Sequence, residues 1–94
     1  MRKYEAMVIF YPNVEEEERA KISERLTNII SANGNVEEVE EWGNRKLAYL
    51  IDDYTNGYYV LCTFQAEQDV IVEFERVAKI TEGIMRHMIV RIDD

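Results

Sequence analysis

The stretch RKYEAMVIFYPNVEEEE, residues 2–18, decides the fold, because the hydrophobic period changes partway along it. Over residues 2–11 apolar character alternates, with Tyr4, Ala6, Val8 and Phe10 on one face and Lys3, Glu5, Met7 and Ile9 on the other, until Pro12 ends the run. A period of two reads as a strand with one core-directed face. Asn13 followed by Glu16 has the spacing of a capping box, and the acidic run 15–18 suits the positive end of a helix dipole. A helix is expected over 14–32, with Ile22, Leu26, Ile29 and Ile30 as the stripe that lies on a sheet and Asn33-Gly34 as its stop.

The same change of period recurs downstream. Residues 36–51 read as a strand carrying Gly43, where a bulge is expected on a long edge strand. Residues 52–57 are rich in turn formers, with Asn56-Gly57 as the expected tight spot, and 58–66 alternate Val60, Cys62 and Phe64 against Leu61, Thr63 and Gln65. That is a hairpin. Asp69 is placed to cap a second helix with the stripe Val70, Ile71, Phe74, Val77 and Ala78, ending near Gly83, and 84–92 form the last strand. The order β-α-β-β-α-β is the split βαβ arrangement of ferredoxin-like folds. Right-handed crossovers put both helices on one face of a four-stranded antiparallel sheet of order 4-1-3-2, an α+β fold expected to fill residues 1–94 as one domain. The other sheet face and both edges are left for partners.

Composition limits the chemistry. The longest apolar stretch, residues 6–11, is far shorter than the roughly 20 residues that span a bilayer, so no membrane association is expected and the chain reads as cytoplasmic. Cys62 has no second thiol for a disulfide or a zinc site and reads as a small buried hydrophobe. His87 is the only histidine, and no glycine-rich phosphate loop or nucleophile elbow occurs. Neither an enzyme nor a cofactor, metal or small-molecule substrate is expected. The carboxylates of 15–18, 37–38 and 40–41 read as solvated faces.

A net charge of −8 argues against a nucleic-acid role until the cations are placed. Arg19, Lys21, Arg25, Arg76 and Lys79 fall in helical segments, where Glu15 with Arg19, Glu17 with Lys21 and Glu75 with Lys79 have ion-pair spacing. Arg2, Lys3, Arg45, Lys46, Arg86 and Arg91 lie in strands and are the candidates for phosphate contact. In the expected strand order Arg91 approaches Arg2 and Lys3 at one corner, and Arg86 and His87 extend this strip along the edge strand. Arg45 and Lys46 belong to the opposite edge, for a different contact. Tyr4, Tyr49, Tyr54, Tyr58, Tyr59 and Trp42 could stack on bases, but the third strand reads GYYVLCTF from residue 57 and lacks the basic start and aromatic spacing of an RRM. The expectation is therefore RNA binding shared with a basic protein partner.

Four segments, MRKYE from residue 1, WGNRKLAY from 42, GYYV from 57 and RHMIVR from 86, resemble in order and spacing the bacterial ribosomal protein S-six (S6) family, and the likeness covers essentially the whole chain. The resemblance implies a ferredoxin-like protein of the small ribosomal subunit. Such a protein binds the central domain of 16S rRNA together with ribosomal protein S-eighteen (S18), its basic partner. Carried over by position, Arg2, Tyr4, Arg86 and Arg91, with Lys3 and His87 beside them, would be RNA-side residues. Trp42, Arg45, Lys46, Leu47 and Tyr49 would face the partner. Leu50 stands where the family commonly has Pro, and a chain running only to Asp94 is expected to make no tail contact. Two rival readings are a ferredoxin-like regulatory module binding a small molecule at a subunit interface and a barrel-dimer enzyme resting on His87.

Overall fold

Alternation along the first strand sets the sheet. The computed structural model describes residues 1–92 and orders them as β1 (Arg2–Phe10), α1 (Glu16–Ala32), β2 (Gly34–Ile51), β3 (Tyr54–Ala66), α2 (Gln68–Ile80) and β4 (Ile84–Arg91). The strands lie in the order β2-β3-β1-β4, and every pairing is antiparallel, as expected. Tyr4, Ala6, Val8 and Phe10 of β1 are buried with Val60, Cys62, Phe64 and Ala66 of β3. Ile22, Leu26 and Ile30 of α1 and Val70, Ile71, Phe74, Val77 and Ala78 of α2 join them in one cluster, so both helices cover the same face. No described helix is long and apolar enough to cross a membrane.

Three local expectations are corrected. The capping box does not form: Glu15 is the N-cap of α1 and makes no side-chain cap bond. Tyr11-Pro12-Asn13-Val14 is instead closed by the Val14 amide on the Tyr11 carbonyl at 3.1 Å, so Asn13 is used inside a turn with proline at its favoured second position. Similarly, Glu67 rather than Asp69 caps α2, and the Asp69 carboxylate sits in the first turn, where the dipole favours it.

The β2–β3 hairpin turns later than the Asn-Gly pair suggests. Ile51 opposes Tyr54, and Asp52 and Asp53 between them take φ of 49° and 67°. Aspartate tolerates this left-handed region, so a two-residue turn is built without glycine. Asn56 and Gly57 lie within the ladder, opposite Lys46 and Arg45. Gly57 is needed there for space, since a Cβ would collide with Ile9 and lie 3.5 Å from Leu47 Cδ2. The bulge expected at Gly43 is present: the register shifts between Glu41 and Gly43, and Gly43 has φ of 83°.

Candidate RNA and partner interface

Residues paired across a ladder point to the same face, so the register places every candidate cation. Arg91 pairs with Tyr4 and His87 with Val8, which puts both on the helix-covered side of β4; Arg86 pairs with Ile9 and lies on the open face. The strip read from the sequence is therefore split between two faces. Arg2, at the exposed start of β1, is two positions from Tyr4 and lies near Arg91 on the helix side. Lys3 points to the open face, and its backbone carbonyl accepts from the Ile92 amide at 2.9 Å. The three cations expected to converge are thus close in the sheet but divided between faces, with Arg2 and Arg91 on the helix side and Lys3 on the open side.

Two named residues take other roles. Tyr4 retains 7% exposure and stacks on Phe64 with ring centroids 5.7 Å apart, so it has no open ring face for a base. Leu47 retains 7% exposure beside Ile9 and Gly57 and fastens the hairpin to the sheet instead of meeting a partner. His87 faces α2, with Nε2 3.9 Å from the Glu75 carboxylate. Two helical cations have partners that the i,i+4 spacing did not single out. Arg76 is clamped by both carboxylate oxygens of Glu73 at 2.8 Å, and Arg19 lies 3.6 Å from the centre of the Tyr58 ring. Tyr58 in turn donates to Glu41 at 2.9 Å, a bond that raises the Tyr58 pKa and ties α1, β3 and β2 together.

Lys3 is engaged across the sheet: its ammonium lies 3.1 Å from Glu37, whose other oxygen accepts from Gln65 at 2.6 Å. The Lys3 hydrogen bond, then that of Gln65, hold the Glu37 carboxyl below the usual range. A depressed carboxylate stabilises the fold above its unfolded pKa and loses that contribution as pH falls through its folded value. Lys3→Met is accordingly expected to raise the Glu37 pKa toward the ordinary value in an NMR titration; an unmoved value would dissociate the two groups.

The open face carries an apolar groove of about 350 Å³ lined by Glu5, Met7, Trp42, Leu61, Met88 and Val90. Trp42 is 39% exposed, Met88 44% and Val90 54%, and the Arg45 guanidinium lies 4.9 Å from the Trp42 ring centre. Along the β2 edge run Glu37, Glu38, Glu40 and Glu41. Lys46 is exposed on the same strand. The hairpin beyond the groove folds toward β4: Arg86 Nη1 donates to the Tyr49 hydroxyl, and Tyr11 donates to Asp52 at 2.5 Å. Arg86 and Tyr49 were assigned to separate contacts by sequence, and their meeting has no signal in local pattern. Cys62 is buried, which pushes its thiol up to about 11 and leaves it an unreactive core group. The C-terminal end, where a tail contact would arise, lies outside the described residues.

A family model described as Ribosomal protein S6 matches residues 3–91. Small ribosomal subunit protein bS6 of Thermoanaerobacter pseudethanolicus is 50% identical over 95 residues, covering 100% of both chains. The corresponding protein of Alkaliphilus metalliredigens is 49% identical over 94 residues, again covering 100% of both. The crystal structure of 30S ribosomal protein S6 from Thermotoga maritima superposes with a TM-score of 0.89 at 37% identity, covering 96% of this chain and 86% of that one. At3g17210 from Arabidopsis thaliana, with a TM-score of 0.58 at 12% identity over 100% of this chain and 95% of that one, shares the fold alone.

Proposed function

The chain belongs to the ribosomal protein S6 family, and from that premise we propose that it holds the central domain of 16S rRNA at the β1–β4 corner while its open face docks S18. Membership makes it a structural constituent of the small ribosomal subunit, working in the cytoplasmic ribosome and catalysing no reaction. The observation that carries the finer reading is the separation of charge across the sheet. Arg86 and Arg91 lie on β4 and Arg2 opens β1, whereas the first half of β2, at the other edge, carries Glu37, Glu38, Glu40 and Glu41 ahead of Arg45 and Lys46. Phosphates are attracted to the first edge and a basic protein to the second. The apolar groove between them supplies the area that polar contacts alone do not.

A net charge of −8 opposes RNA binding by the chain alone, so the basic partner is required to overcome the repulsion. The test is a gel-shift titration of a central-domain 16S rRNA fragment, with and without S18, at two salt concentrations. Tight, salt-sensitive binding only with S18 present is the expected result, and no binding under any condition would overturn the reading. Arg2→Ala and Arg91→Ala are each expected to flatten the slope of log affinity against log salt by about one unit. Unchanged slopes in both variants would remove the corner from the RNA contact.

A further inference from the structure

The β2–β3 ladder jumps from Lys46 opposite Asn56 to Ile51 opposite Tyr54, so residues 47–50 are not held in register by backbone pairing. Side chains hold the segment instead. Leu47 is buried beside Ile9, the tip is tied by Tyr11 to Asp52 with the Tyr11 and Tyr54 rings 5.2 Å apart, and between these anchors Tyr49 meets Arg86 of β4. Tyr49 is 61% exposed and Arg86 is exposed, so without this bond both long side chains would sample many rotamers.

We propose that Tyr49 is a positioning residue for Arg86, and that this one hydrogen bond couples a partner docked on the hairpin to RNA held at β4. The inference rests on the assignment of Arg86 to phosphate made above. A guanidinium has five N–H donors in a fixed fork, and Tyr49 occupies only Nη1. The edge formed by Nε and Nη2 stays available for two phosphate oxygens, and its direction is set by the tyrosine. Any protein that immobilises residues 47–50 therefore immobilises Arg86. By thermodynamic reciprocity, a phosphate on Arg86 steadies the hairpin for its partner by the same factor.

The experiment is a double-mutant cycle on rRNA-fragment affinity, measured with and without saturating S18, for the wild type, Tyr49→Phe, Arg86→Ala and the double variant. Phenylalanine keeps the ring and removes only the hydroxyl. Tyr49→Phe is expected to lower RNA affinity with S18 present by about two- to tenfold, and to cost nothing further in the Arg86→Ala background. It should also reduce the salt slope, which a general loss of stability would leave in place. Additive effects of the two substitutions, or an Arg86→Ala variant that binds as the wild type does, would overturn the coupling while leaving the ribosomal reading intact. A wild type that binds no RNA would overturn both.

Discussion

Phe64→Ala is expected to lower the free energy of unfolding by about 3–5 kcal/mol, read from urea denaturation at fixed pH. Phe64 is 0% exposed and lies between two other rings, Tyr4 at 5.7 Å with an interplanar angle of 27° and Phe74 at 6.1 Å with 18°. The stack runs from β1 through β3 into α2, so it joins the sheet to the helix that covers it. Truncation removes the middle ring, and neither neighbour can fill the gap, because one is fixed by a strand and the other by a helix. A domain of this size has a total stability of about 5–14 kcal/mol, so the variant loses a large fraction of it. A change below about 1 kcal/mol would mean that the stack is not the centre of the core.

Periodicity revealed what burial alone determines. The core face of β1 and the stripes of both helices were legible because an alternating strand and an amphipathic helix have one thermodynamically acceptable orientation on a sheet. Features that depend on competition between local signals were not. Asn13 is a good cap in isolation, but proline before it favours a turn that uses it first. Asn56-Gly57 is a good turn in isolation, yet Ile9 and Leu47 need the missing Cβ of Gly57, and the turn moves to Asp52 and Asp53.

The functional surface was legible as a set of charges and illegible as a geometry. Arg86 and His87 are neighbours in sequence and therefore face opposite ways on a strand, a consequence of the period that a list of cations overlooks. Lys3 finds Glu37 across two intervening ladder pairings, and Arg86 finds Tyr49 across 37 positions. Such contacts follow from the length and curl of the hairpin, which are fixed by a displaced turn and three register shifts rather than by composition. Tyr4 illustrates the same limit in reverse: carried over by position from the family resemblance it suggested an RNA contact, while its place on the core face of β1 buries it.

Trp42→Ala should weaken S18 binding by about 30-fold or more, in keeping with the roughly 2 kcal/mol carried by a central aromatic anchor, while the protein remains folded. Trp42 is exposed, so its removal opens no closed cavity, and it shares an apolar groove on the open face with Met7, Leu61, Met88 and Val90. Around it, Glu5 and the open-face carboxylates of β2, Glu38 and Glu40, supply a rim that suits a basic partner and excludes an acidic one. Arg45 lies over the same ring, so the tryptophan is already held in one orientation before docking and little is lost in ordering it. Val72→Ala is the control: Val72 is 60% exposed on α2, on the helix-covered side and away from both groove and hairpin, and its truncation should change S18 affinity by less than about threefold. Isothermal titration of the two variants separates the possibilities. Equal, small effects of Trp42→Ala and Val72→Ala would place S18 off the groove, leaving the acidic β2 edge as the docking surface; a large effect confined to Trp42 fixes it on the open face.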